Sequence, residues 1–466
     1  MSMVNQIDEN KGEKARQYLV ELVCYESVPP GRFCNQFKDL VGGLIPSVLA
    51  YLDLASVQHK CLKLYEEEHS KVKEVLSNLN QISLSMDLLV YEKLGEQHEY
   101  LCLSSHFIDD KWKLRKWVLH YCEVYGSELK HPTVAVLESI KDWDMECKVF
   151  SLTIGGEIDT DMVKDQVQGR RDLALDGQLF HVRCCGDMIS QMVQSGFNMI
   201  DENILDAQFF GWSESLPLWY NTSTKLYDAL QMKEDLVFCG DTPSKGEWGK
   251  VRRVRKMVNQ IYKITKGLFK AKMPTANLFL PRLQEIRTYL TQEATSSDVF
   301  VKALAETMLK TLNKYWNDMY LMPAIAAFLD PRHKMELIES CFPNLGNGDD
   351  EKAAYVLQTI RRLYDGYVGP TEKPQNSDLD LYLTEPVIPV TENFCILAWW
   401  KQNCSKYPVL SRMARDFLAV PISVETSYKA YYTEPRGADE TVVSLEPELM
   451  NALMCTRSWK LGYNKH

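Results

Sequence analysis

From Val48 to Leu79 apolar residues recur at three- and four-residue spacings (Val48-Leu49-Leu52-Leu54-Val57, Leu62-Leu64-Tyr65, Val72-Val75-Leu76-Leu79), the period of helices with one buried face. Residues 11 to 80 therefore read as helical, split by Pro29-Pro30-Gly31. At Ile82 the period drops to two. Ile82-Ser83-Leu84-Ser85-Met86-Asp87-Leu88 alternates as a strand and ends near a carboxylate. After a polar turn from Glu92 to Glu99, Tyr100 to Ile108 predicts a second strand. Trp112 to Val124, with Trp117, Leu119 and Tyr121 alternating, predicts a third. Thr133 to Trp143 carries a helical apolar face, Val149 to Ile154 reads as a buried fourth strand, and Leu179 to Cys184 as a fifth. Three meandering strands, a helix, a strand, a helical segment and a strand predict a mixed α/β layer.

Beyond residue 187 the strand signal all but vanishes until about 365. Helical patterns cover Tyr227 to Val237, Val251 to Leu268, Ala276 to Leu290, Val299 to Met319 and Ala353 to Tyr367. Such a block between α/β elements reads as an insertion or a separate helical domain. Helical patterns resume at Phe394 to Gln402, Pro408 to Leu418 and Pro447 to Cys455. The expected organisation is an N-terminal helical region (1–80), the first part of an α/β core (81–186), a helical insertion (187–369), a polar linker (370–390) and a C-terminal helical region that completes the core (391–466).

Charge narrows the functional classes. Acidic residues outnumber basic ones, 63 to 53, for a net charge of −10. Phosphate affinity rests on placed cations, so any DNA contact must come from a local patch. The cluster Lys250, Arg252, Arg253, Arg255 and Lys256 is such a patch. It reads either as phosphate contacts along a helix or as the solvated face of an amphipathic helix whose other side is Val251, Val254, Met257 and Ile261. No run approaches the roughly 18 apolar residues of a membrane span, and the polar, acidic N-terminus does not read as a secretory signal. Thirteen scattered cysteines without a Cys-x-x-Cys pair fit reduced thiols of the cytosol or nucleus rather than a zinc finger.

Smaller signals have plain explanations. His106 and His181 read as satisfied core histidines on strands, Asp109-Asp110 as a turn, and Cys184-Cys185 as a buried strand end. The apolar constellation Leu397, Trp399, Trp400, Tyr407, Leu410, Met413 and Phe417 reads either as core or as an interface, since large aromatics and Met anchor both.

Several motifs in order resemble one family, the hAT transposases, and within it the plant Daysleeper/Ricesleeper branch. They are Cys61-Leu62-Lys63-Leu64-Tyr65-Glu66-Glu67-Glu68, Tyr100 to Leu114, Phe180-His181-Val182-Arg183-Cys184-Cys185, Pro274-Thr275-Ala276-Asn277 and Leu329-Asp330-Pro331-Arg332-His333-Lys334. The most specific runs from Glu392-Asn393-Phe394 through Trp399-Trp400-Lys401 to Tyr407-Pro408-Val409-Leu410 and Phe417-Leu418. The resemblance implies an RNase H-like mixed sheet interrupted by a large all-helical insertion, with a C-terminal hAT dimerisation region to which Leu397, Trp399, Trp400, Tyr407, Leu410, Met413 and Phe417 belong.

It also implies three carboxylates that hold two divalent metals about 4 Å apart. The first acid is Asp87. At the second position stands Gly155 and at the third Tyr428, with Glu425 three residues earlier. Glycine offers no ligand, so no metal and no cofactor is expected. The family's BED zinc finger lies before the point where this sequence begins, and its Cys-x-x-His has become Cys184-Cys185-Gly186-Asp187. The resemblance therefore implies a domesticated, catalytically inactive hAT transposase-like protein. It would be nuclear, or else cytoplasmic, form a homodimer or a heterodimer with related hAT proteins, and associate with DNA but not with membranes. Three alternatives stay open: a DNA-binding transcriptional regulator using the helical insertion, a residual Mg-dependent transposase, or a decayed product.

Overall fold

Alternation from Ile82 onward produces a sheet whose two faces differ in chemistry. The computed structural model describes residues 13–24 (without 15 and 22), 54–93, 96–124, 131–155, 160–168, 174–199, 245–268 (without 266), 273–342, 350–368, 377–424 (without 390, 392 and 393) and 445–464. Helix α1 (Leu54–Ser77) leads into β1 (Ile82–Lys93), β2 (Glu96–Ile108) and β3 (Leu114–Val124). Then follow α2 (Pro132–Asp142), β4 (Val149–Ile154), α3 (Thr160–Gln168), a 3₁₀ turn (Ala174–Gly177), β5 (His181–Arg183) and α4 (Cys185–Phe197). Strand order is β3-β2-β1-β4-β5. The first three strands pair antiparallel, whereas β4 runs parallel to β1 and β5 parallel to β4. This is the expected mixed sheet.

The expected polar turn from Glu92 to Glu99 is mostly ladder. Pairing continues from Asp87↔Cys102 to Lys93↔Glu96, which leaves residues 94–95 between the strands. Backbone hydrogen bonds carry a hairpin past the point where apolar alternation stops.

One sheet face is apolar. Ile82, Leu84, Met86, Leu101, Leu103, Trp117, Leu119, Leu152 and Ile154 pack into a core with Val72 and Leu76 of α1 and Val136 and Ile140 of α2. Helix α14, introduced below, joins that core. The larger second core lies among the later helices: α5 (Lys245–Thr265), α6 (Ala276–Glu293), α7 (Val299–Met319), α8 (Leu321–Phe328), α9 (Lys334–Cys341), α10 (Asp350–Val368), α11 (Asp378–Thr384), α12 (Ile396–Asn403) and α13 (Pro408–Ala419). The bounds of α7 match the sequence expectation, and the helix expected over Tyr227 to Val237 lies outside the described residues. Between β5 and residue 368 the described residues carry helices and no strand.

Two expectations need correction. The stretch 370–390, expected as a linker, contains α11: Ser377 caps it by accepting from Asp380 N at 3.3 Å, while Leu379 and Tyr382 turn inward at helical spacing. And α14 (Pro447–Asn464) runs past Cys455, because Trp459 is buried there, donates from Nε1 to Val118 O at 2.8 Å and stacks on Tyr65 at 5.5 Å.

Candidate functional site

The opposite face of the sheet is polar yet buried. Register places Ser83, Ser85 and Asp87 of β1, Cys102, Ser104 and His106 of β2, Lys116 of β3, and Ser151 and Thr153 of β4 on one side. Ser85 Oγ bonds His106 Nε2 at 2.8 Å, and Ser151 Oγ donates to Ser83 Oγ at 3.0 Å. Helix α13 and residues 420–424 cover this side, with Thr153 Oγ1 donating to Pro421 O at 2.6 Å. Buried hydroxyls cost stability unless hydrogen-bonded, and these bonds satisfy Ser83, Ser85, Ser151 and Thr153.

Asp87 and Gly155 adjoin at the ends of neighbouring strands. β1 and β4 run parallel, and Gly155 N donates to Met86 O at 3.1 Å, which sets residue 155 beside half-buried Asp87. A Cβ at Gly155 would lie 3.4 Å from Asp87 Oδ1, but only 2.5 Å from Val424 Cγ2. Hard divalent ions need several oxygen ligands. Here one carboxylate faces a glycine and a valine methyl, and among the described residues no group of three or more His, Cys, Asp or Glu could hold a metal. These residues do not fit a two-metal centre. Tyr428 and Glu425 lie outside the described residues.

Burial shapes the neighbouring groups. It holds His106 well below the usual histidine range, with the Lys116 charge acting the same way. It pushes Lys116 down to about 7 while Cys102 and Asp87 pull it back up, and it raises the Cys102 thiol to about 12. His106 is thus a buried, satisfied histidine as expected. His181 is exposed instead, because the short β5 leaves its outer side chains to solvent. Asp109 makes the expected turn, its Oδ1 accepting from the amides of Lys111 and Lys113 at 2.9 Å each. Cys184 and Cys185 are buried at the strand end.

The basic cluster lies on α5 with the expected amphipathic split. Val254, Met257, Val258 and Ile261 are buried, while Lys250, Arg252, Arg253 and Lys256 are exposed and Arg255 is half-buried. The face is partly neutralised: Arg253 Nε sits 2.6 Å from Asp298 Oδ2, and Asp298 also caps α7 through the amides of Phe300 and Val301.

The aromatic constellation belongs to the chain's own core. Leu397, Trp400, Tyr407, Leu410, Met413 and Phe417 are all buried, and Trp399 is partly buried against them. Trp400 Nε1 donates to Leu329 O at 2.9 Å, Tyr382 stacks on Trp400 at 5.8 Å, and Phe417 meets Phe150 edge-on at 5.0 Å. Within one protomer these seven side chains tie α8, α11, α12 and α13 together and reach β4. Sequence reasoning missed Asp378, whose Oδ2 accepts from the amides of Val409 (2.8 Å) and Leu410 (3.1 Å) and so caps α13. It also missed Val424 and Lys116, whose positions depend on contacts across the fold.

Three family models match the chain. Residues 94–179 match the ZBED1 RNase-like domain, 277–367 the hAT-like transposase RNase-H fold, and 378–460 the hAT family C-terminal dimerisation region. The zinc finger BED domain-containing protein DAYSLEEPER of Arabidopsis thaliana is 27% identical over 97% of this chain and 74% of its own length. RICESLEEPER 2 of Oryza sativa subsp. japonica is 25% identical over 88% and 69%. The putative AC transposase of Zea mays is 25% identical over 87% and 60%. With three family models in order along the chain and relatives matched over most of it, the chain carries an RNase H-like mixed sheet and a C-terminal hAT dimerisation region and is similar to hAT transposase-derived plant proteins.

Proposed function

We propose that the chain is a domesticated, non-catalytic hAT protein that acts in the nucleus by assembling with itself or with related hAT chains. The observation that carries the reading is the neighbourhood of Asp87: the adjoining strand end offers Gly155, and Val424 fills the space beside it. One carboxylate in that setting cannot organise two metal ions. The dimerisation region supports the assembly role, and no helix among the described residues is long and apolar enough to cross a membrane. The experiment is a cleavage and strand-joining assay on hAT-end DNA with Mg²⁺ or Mn²⁺. No product is expected. Product that disappears in Asp87→Asn would overturn the reading in favour of a residual transposase. Light scattering should give a dimer mass, and a strict monomer at micromolar concentration would count against assembly.

The second reading, a DNA-binding regulator working through the helical segment, is favoured by the exposed cationic face of α5. Binding that weakens steeply with salt would support it.

A further inference from the structure

The polar sheet face ends, beside Asp87, against one apolar side chain. Because Gly155 N is bonded to Met86 O, residue 155 is fixed next to Asp87 on adjacent parallel strands. A side chain at 155 would begin 3.4 Å from Asp87 Oδ1, close enough for two carboxylates to share an ion. The same Cβ would meet Val424 Cγ2 at 2.5 Å, a separation Cβ atoms essentially never show, whereas Val424 Cβ at 3.7 Å is ordinary contact. Among the described residues the obstruction is therefore a single methyl group.

Val424 cannot easily swing away. It is 3% exposed, and its segment is stitched to the sheet ends. Thr153 Oγ1 donates to Pro421 O, Cys185 N donates to Ile422 O at 2.7 Å, and Val424 N lies 3.5 Å from Cys184 Sγ. These contacts fix the backbone that carries Val424 against the sheet ends.

We propose that Val424 is a plug: its Cγ2 methyl occupies the volume that a second carboxylate at residue 155 would need in order to share a divalent cation with Asp87. Metal exclusion is thus built by packing as well as by loss of a ligand. The inference rests on the metal-free reading above, and the test separates the two. Full-length wild type, Gly155→Ala, Val424→Ala and the double variant are melted first. Gly155→Ala alone should lower Tm by roughly 2–10 °C through overpacking. The double variant should be no less stable than Val424→Ala alone, because removing Cγ2 removes the clash. Losses that simply add would overturn the plug. Mn²⁺ binding is then followed by electron paramagnetic resonance. Wild type and Gly155→Asp should bind none, while Gly155→Asp/Val424→Ala should gain a site that Asp87→Asn abolishes. Gly155→Asp binding as well as the double variant, or a folded double variant that binds nothing, would overturn the plug. Asp87-dependent binding by the wild type would instead remove the metal-free reading beneath it. If the aspartate variants fail to fold, the alanine series decides.

Discussion

Asn277 Nδ2 donates to Asp330 Oδ2 at 2.7 Å, joining the start of α6 to the turn between α8 and α9. Both residues belong to motifs that carry the family resemblance, so those motifs meet in space. Asp330 is fully buried, and Arg332 closes on it with Nε at 2.9 Å from Oδ1 and Nη2 at 2.6 Å from Oδ2. Removing the carboxylate strands a largely buried guanidinium, whereas removing the amide leaves the ion pair intact. Asp330→Ala should therefore cost about 3–5 kcal/mol, and Asn277→Ala about 1–3 kcal/mol. Urea unfolding of both variants checks the ranking, and equal losses would contradict it.

His106 gives the fold a pH dependence of definite sign. Burial, then the Lys116 charge, holds its folded-state pKa well below 6.5. As pH falls past about 6.5 the unfolded chain takes up a proton that the folded chain refuses, so stability is full above that value and declines below it. His69 and His333 are lowered too, by burial first, and act in the same direction. His106→Gln, which retains hydrogen-bonding capacity toward Ser85, should flatten the decline of Tm between pH 7 and 5. An unchanged slope would show that His106 titrates alike in the folded and unfolded chain and would contradict the lowered pKa.

How much of this was legible in the sequence depends on whether a signal is local or long-range. Val149–Ile154 matches its expected bounds because burial runs unbroken over the strand, and Val299–Met319 because its helical period starts at the Asp298 cap. The β1–β2 hairpin was read too short because its outer half is defined by pairing, which polar residues can also make. Helix α11 was hidden in a polar stretch because its burial depends on Leu379 and Tyr382 finding partners in α8, α12 and α13. At the candidate site, the family resemblance names Asp87 and Gly155, but nothing in it names Val424. Its contact spans the chain from β4 to the segment after α13, and no spacing rule reports it. Lys116 reads as an ordinary surface lysine until the register puts it opposite His106.

The cationic face of α5 separates a phosphate-binding role from mere solvation. Arg253 is already engaged with Asp298, a part-exposed surface pair of the kind that contributes little to stability. Arg252→Ala/Arg253→Ala/Arg255→Ala should therefore change stability little. If the face contacts phosphates, the triple variant should weaken DNA binding across sequences and reduce the slope of log K against log salt by up to about 3. Fluorescence anisotropy over a salt series measures this, and an unchanged slope would assign the face to solvation.

Trp400 decides between core and interface for the aromatic constellation. It is fully buried, donates to Leu329 O from α8's end, stacks on Tyr382 and meets Trp399 edge-on at 5.0 Å. A hot spot at a protein–protein interface would lose dimer affinity on truncation while the protomer stayed folded. A core tryptophan instead leaves a cavity and an unpaired carbonyl, at about 3–5 kcal/mol. Trp400→Ala should thus lower the unfolding midpoint in urea at every protein concentration, including those where wild type is monomeric. Phe417→Ala should do likewise through its contact with Phe150, since it detaches α13 from β4. Sedimentation alongside urea melts separates the cases: a folded monomer of unchanged stability from Trp400→Ala would restore the interface reading for that residue.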